Sequence, residues 1–236
     1  MSTRPKKNLQ REKKPNGAKK TQEFGRKRPK SKAESGSYRI IGGFWRSRRL
    51  SFPVIEGLRP TTDRVRETVF NWVSSEIHGA KVLDVFAGSG SLGLEALSRG
   101  AVKLTAIEKN KQAALALQAN IELLMQSNAG GVESKVIHTD ALSYLESLKT
   151  LQLNASTEQN RYDLIFLDPP FRKGLLEQAI TLLDDHPIVQ EGALIYLERE
   201  KEMAGLCLPE NWRLLKDKTA GQLVYQLFRV SNSFGP

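Results

Sequence analysis

The sequence predicts an α/β fold: a doubly wound, mainly parallel sheet that closes with an antiparallel C-terminal strand, preceded by a small β-hairpin and a helix. Three observations carry this. Strand-like and helix-like segments alternate from Lys81 onward. A G-x-G-x-x-G spacing at Gly88, Gly90 and Gly93 joins an apolar run to a helical pattern. Two strand-like runs, 212–216 and 223–229, flank Ala220-Gly221 and read as a closing antiparallel pair.

Residues 1–36 hold thirteen Lys or Arg against three Glu, which is the whole formal excess of +10 over 236 residues. The segment is poor in apolar residues and cannot offset its ordering entropy, so it reads as a disordered basic tail. Such an arm neutralises phosphates without reading sequence. The alternatives are a solubilising tail, or a transit peptide without an amphipathic face.

Residues 37–58 read as a hairpin extension, with strands at Tyr38–Ile41 and Phe44–Leu50 around a two-residue Gly42-Gly43 turn. Trp45 lies among arginines. It suits base stacking beside phosphate contacts, or a half-buried hairpin with a charged outer face. Residues 59–236 form the main domain. Arg59-Pro60-Thr61-Thr62-Asp63-Arg64 opens a helix capped by Thr61 or Thr62, with Val65, Val69, Trp72, Val73 and Ile77 on its core face. Residues 37–66 carry seven Arg against two acids. This basic front on a mildly acidic body points to a polyanion, with Arg46, Arg48, Arg59, Arg64 and Arg66 as candidate substrate contacts.

Val82, Leu83, Val85 and Phe86 form a buried strand, with Asp84 near its carboxyl end. The glycine turn follows, then a helix over about 91–99. Leu104–Glu108 is the second strand, and Glu108 lies 24 residues after Asp84, where an acid can hydrogen-bond ribose hydroxyls. A helix over 112–126, a strand over 134–138 and a helix over 141–148 come next, Asp140 starting the last of these; 151–161 is polar and irregular. Tyr162–Leu167 is the fourth strand and ends in Asp168-Pro169-Pro170-Phe171. A helix over 175–183 and a strand over 193–198 precede the closing pair. In such a sheet the strand order reverses beside the first strand, so that strand and the fourth should be neighbours. The glycine loop and the tetrapeptide then face one crevice.

Composition narrows the classes. A lone Cys207 rules out an intrachain disulfide framework and a multi-cysteine zinc site. His78, His138 and His186 lack metal-ligand spacing, so no metal is expected. No apolar run approaches the ~20 residues of a membrane span, and the basic start lacks the apolar core of a signal peptide. A cytoplasmic, monomeric protein is the expectation.

DVFAGSGSLG with a later acid and DPPF resembles the S-adenosylmethionine-dependent methyltransferases that modify exocyclic or amide nitrogens. RIIGGFWRSRRL, GLRPTTDRVRETVFNW, FAGSGSLGLEALSRGA, DPPFRKGLLEQAI and ALIYLERE are closer still to the RsmD family of bacterial 16S rRNA guanine-N2 methyltransferases. The resemblance spans about Tyr38 to Arg229 and omits the tail. It implies a Rossmann-like methyltransferase domain, S-adenosylmethionine as cofactor, and as substrate the guanine at position 966 of 16S rRNA, in small ribosomal subunits or their precursors. It further implies that Asp84, Phe86, Gly88, Ser89 and Gly90 hold the methionine part of the cofactor. Glu108 would take the ribose, Asp140 and Ala141 the adenine. Asp168, Pro169, Pro170 and Phe171 would be catalytic. Rival readings are an adenine-N6 methyltransferase acting on DNA or RNA, an NAD-dependent dehydrogenase, and a non-catalytic RNA-binding assembly factor. The dehydrogenase leaves Asp84 and the tetrapeptide unexplained, and no separate target-recognition domain for DNA is visible.

Overall fold

The structure, a computed structural model, describes residues 35–126, 131–152, 161–184, 186–203 and 205–231, without the side chains of 150–152. The basic tail lies outside the described residues, except that Ser35 and Gly36 belong to the first strand.

Strands β1 (Ser35–Arg39) and β2 (Arg49–Pro53) form a separate antiparallel pair. Helix α1 (Asp63–Trp72) follows, then β3 (Lys81–Asp84), α2 (Ser91–Ser98), β4 (Lys103–Glu108), α3 (Lys111–Met125), β5 (Glu133–His138), α4 (Ala141–Gln152), β6 (Tyr162–Leu167), α5 (Leu175–Leu183), β7 (Val189–Glu200), β8 (Trp212–Ala220) and β9 (Leu223–Val230). The main sheet runs β5-β4-β3-β6-β7-β9-β8. The first five are parallel neighbours; β9 is antiparallel to both β7 and β8. The order reverses at β3, as the sequence predicts, so the glycine loop and the tetrapeptide leave adjacent strands.

The strands read as continuous apolar runs because both sheet faces are covered. Val82, Leu104, Leu164, Phe166 and Tyr196 face one core with α1, α2 and α3. Leu83, Ile107, Ile165, Leu167 and Ile195 face the other with α4 and α5. The hairpin shares the first core through Tyr38, Ile40, Trp45 and Leu50. Helix α1 ends at Trp72, five residues before Ile77, yet Val73 and Ile77 remain buried as its periodicity requires.

The predicted Gly42-Gly43 hairpin turn is corrected. Residues 40–48 form a long connection pinned to the end of α2. Ile41 N and Gly42 N donate to Glu95, Phe44 N donates to Ser98 O at 2.6 Å, and Trp45 N donates to Ser98 Oγ at 2.9 Å. Gly43 is required there: at φ 76° a Cβ would stand 1.8 Å from Ser98 O. The glycine pair serves close packing on a helix end, and the chain reverses in the turn that Gly43 O closes with Arg46 N at 3.3 Å.

Candidate active site

The site lies at the carboxyl ends of β3, β4, β6 and β7. Gly90, at φ 77°, is the N-cap of α2 and offers no side-chain cap, so among the described residues the Ser91 and Leu92 amides have no capping partner. Asp84 is buried, and its Oδ2 accepts from Gly93 N at 3.2 Å. Glu108 accepts from Gly88 N at 2.8 Å through Oε2 and from Asn110 N at 2.6 Å through Oε1. Each of its oxygens keeps a second lone pair. Asp140 caps α4, accepting from Leu142 N and Ser143 N at Oδ1, while Lys109 Nζ lies 3.0 Å from Oδ2. Lys109 and these amides hold its carboxyl below the usual range.

Asp168 is half-buried, and the Thr61 hydroxyl donates to its Oδ2 at 3.3 Å. Pro169 is buried beside it, while Phe171 is 46% exposed. Glu198, on neighbouring β7, is 4% exposed, and its Oε1 accepts from the Tyr196 hydroxyl at 2.7 Å. Burial pushes Asp84 up to about 7, aided by the charge of Asp168. Burial likewise pushes Asp168 up to about 6, opposed by the Thr61 hydroxyl. Glu198 is driven well above its ordinary value by burial and then by Asp168. A cavity of about 320 Å³ sits at the opposite end of the sheet, lined by Ile77, His78, Asp163, Gln190 and Leu194, and has no part in this crevice.

A family model described as Conserved hypothetical protein 95 matches residues 38–229. A relative from Escherichia coli named Ribosomal RNA small subunit methyltransferase D is 46% identical over 195 residues, which cover 83% of this chain and 91% of the relative. The chain belongs to the RsmD family. A member of the same name from Haemophilus influenzae is 46% identical over 194 residues, covering 82% of this chain and 94% of that one. The solved structure of the Escherichia coli yhhF protein superposes with a TM-score of 0.70 at 42% identity, covering 84% of this chain and all of that one. As an RsmD protein the chain is an S-adenosylmethionine-dependent methyltransferase.

The donor set suits that cofactor. S-adenosylmethionine carries a sulfonium and an ammonium, and the crevice gathers Asp84, Glu108, Asp168 and Glu198, with no ion pair to any of the four among the described residues. Two of these carboxyls are raised toward neutral pH, the response of crowded acids that a cationic ligand relieves. Among the described residues no cluster is arranged to hold a metal ion. Gly88, Gly90, Asp84, Glu108 and the Asp168 tetrapeptide converge on the crevice. Ser89 is buried, its carbonyl accepting from the Tyr38 hydroxyl at 3.0 Å. Phe86 is half-buried against the second core, and Ala141 is buried at the start of α4.

One sequence expectation fails, and one choice between alternatives is decided. Arg66 is 0% exposed and cannot reach a substrate. Its guanidinium is bonded to Asp63, Glu95, the Thr61 carbonyl and the Arg39 carbonyl. Trp45 is 2% exposed and packs in the core, which removes base stacking and leaves the alternative of a half-buried hairpin with a charged outer face; the exposed aromatic among the arginines is Phe44, at 67%. Arg46, Arg48, Arg59 and Arg64 are exposed and form no ion pair among the described residues. They divide into two groups. Arg59 and Arg64 flank Thr61 at the crevice. Arg46 and Arg48 lie on the connection pinned to Ser98, at the far end of an eight-residue helix about 12 Å long. Sequence reasoning missed Thr61 as a partner of Asp168, and it missed Glu198. Glu198 carried one signal, an acid inside the apolar run 193–198.

Proposed function

We propose that this chain transfers a methyl group to the exocyclic N2 of a guanine in 16S rRNA, the guanine at position 966, within small ribosomal subunits or their precursors. The observation that carries this is the half-buried Asp168 at the end of β6, followed by Pro169-Pro170-Phe171, beside the glycine loop of β3. The rRNA substrate is supported by the names of relatives that match over more than four fifths of the chain. It is supported too by Arg46 and Arg48 of the N-terminal extension, which are exposed, form no ion pair among the described residues and suit phosphates. The reading carries with it a cytoplasmic monomer; among the described residues no helix is long and apolar enough to cross a membrane.

S-adenosylmethionine, when bound, supplies an electrophilic methyl group on a sulfonium that leaves readily. The glycine loop and Glu108 hold and orient it, and Asp140 with Ala141 borders its adenine. The chain must then align the acceptor and make it nucleophilic. Guanine N2 is a poor nucleophile because its lone pair is spread into the ring. Asp168 and the Pro169 carbonyl accept its two N–H bonds, return electron density to nitrogen and aim the lone pair. After transfer the amine gives up one proton to Asp168 or water. Exposed Phe171 provides a face for the extruded base. The basic tail would add a sequence-independent grip on RNA.

The test is methyl transfer from labelled S-adenosylmethionine to small subunits lacking native guanine-N2 methylation, with naked 16S rRNA and duplex DNA in parallel. Label in N2-methylguanosine at one position is the expected result. Label in N6-methyladenosine would replace guanine with adenine as the target. No label in any polymer would remove the proposed substrate.

A further inference from the structure

The two threonines before α1 divide their work. Thr62 caps the helix, its Oγ1 accepting from Val65 N at 3.4 Å. Thr61 is left for contacts across the crevice. Its amide donates to Ser91 Oγ at 3.2 Å, Ser91 Oγ donates to Thr61 Oγ1 at 3.4 Å, and Thr61 Oγ1 donates to Asp168 Oδ2 at 3.3 Å. These directions are mutually consistent, since a hydroxyl can accept one bond while giving its single proton away. The Thr61 carbonyl accepts from Arg66 Nε at 3.1 Å. Arg66 is in turn fixed by Asp63 at 2.7 Å, Glu95 at 3.4 Å and the Arg39 carbonyl at 2.9 Å. Thr61 therefore joins the first residue of α2, the Asp168 carboxylate and a fully buried arginine.

We propose that Thr61 is a positioning residue for methyl transfer: its hydroxyl holds Asp168 ionised and aimed at the acceptor amine, and buried Arg66 holds Thr61 in place. This rests on the reading of Asp168 as the group that accepts from that amine. Burial otherwise opposes the charge of Asp168, and no cation is among its titratable neighbours. Asp84 faces it from β3, Glu198 and Tyr196 from β7, with Tyr225 of β9 behind them; none is a cation. Among the described residues the Thr61 hydroxyl is the one hydrogen-bond donor on the Asp168 carboxylate. A donated hydrogen bond favours the ionised form, whereas burial and neighbouring acids favour the protonated one. A protonated Asp168 would present an O–H where the amine needs an acceptor. The contact spans 3.3 Å, and catalytic hydrogen bonds often tighten when substrate closes on them. Thr61 also lies between Arg59 and Arg64, so one short segment carries both two exposed cations suited to phosphate and the bond to Asp168.

Thr61→Val keeps the side-chain shape and removes the hydroxyl; Thr61→Ser restores it. The first readout is the carboxyl titration of Asp168 by carbon NMR in the ligand-free protein, assigned with Asp168→Asn. The wild-type midpoint is expected near 6. The valine variant should titrate about half a pH unit or more higher, and the serine variant should return toward wild type. The second readout is the pH dependence of kcat for methyl transfer to under-methylated small subunits. Its acid limb should move up by the same amount in the valine variant and return with serine. An unchanged Asp168 midpoint in Thr61→Val overturns the proposal. So does a shifted midpoint with an unmoved acid limb. Asp168→Ala tests the underlying reading separately: if that variant stays active, the catalytic role of Asp168 falls and the positioning role falls with it, even where the titration shows the contact.

Discussion

Asp84, Asp168 and Glu198 are three acids on one side of one crevice, and at this scale their differences in role follow from their partners. Asp84 is bonded to the Gly93 amide inside the fold, while Asp168, among the described residues, receives only a hydroxyl and is half-buried. Asp168→Ala should therefore lower methyl transfer by about 10²- to 10⁴-fold, with S-adenosylmethionine affinity by calorimetry staying within a few-fold. Lost cofactor binding would move Asp168 out of the catalytic role. Arg64 and Arg66 make the same point for cations. They are two residues apart on α1, about 200° around a helix, so one faces water and the other the core. Arg66→Met should cost about 1–3 kcal/mol in urea unfolding, since the Thr61 and Arg39 carbonyls lose a buried donor while Glu95 keeps Arg99 and Asp63 keeps Arg39. The salt dependence of RNA binding should stay as in wild type; a reduced slope would return Arg66 to the substrate surface.

The hairpin extension is an element whose conformation is set from outside. Its connection is folded against α2 by bonds to Glu95 and Ser98, which leaves Phe44, Arg46 and Arg48 presented to solvent on a fixed backbone. Ser47 there has a positive φ of 68°, a conformation a non-glycine residue adopts only when its surroundings impose it. Replacing Arg46 and Arg48 together with Ala should reduce the slope of log affinity against log salt by about 1.4, two single-strand phosphates at ~0.7 each. Filter binding across a salt series would measure it. A slope equal to wild type would place the RNA elsewhere. This loop is about 12 Å along α2 from the glycine turn, so a phosphate contact there would fall on RNA beyond the target nucleotide.

The whole molecule sets a basic N-terminal front against an acidic crevice, and this arrangement has a consequence for stability. Asp in an unfolded chain titrates near 3.9. In the fold Asp84 is raised to about 7 and Asp168 to about 6. The folded state therefore binds more protons than the unfolded one between those values, and stability falls as pH rises through that window. The contribution is full below about pH 4 and is lost by about pH 8, above both folded midpoints. Urea midpoints of ligand-free protein at pH 5 and pH 8 should differ by less in Asp84→Asn than in wild type. An equal difference would mean that Asp84 does not titrate in this range. S-adenosylmethionine should stabilise the protein more at pH 8 than at pH 5, since its positive groups offset the ionised acids.

The sequence by itself determined the strand and helix order, the reversal of strand order at β3 and the two loops that meet there. Side-chain periodicity and glycine or proline punctuation are local properties, and the handedness of parallel connections leaves few topologies. Asp84, Gly88, Gly90, Glu108 and Asp168 were legible because each sits at a strand end that topology alone carries to the crevice. Only the tertiary structure decided that Arg66 is a core residue while Arg64 is not, that Trp45 is buried and Phe44 exposed, and that Gly43 meets a helix end. It alone brought Thr61 to Asp168, 107 residues away in the chain. Those outcomes depend on which side chains meet across elements distant in sequence. No local pattern encodes such a meeting, because it is fixed by the joint packing of the hairpin, α1 and α2 on one face of the sheet.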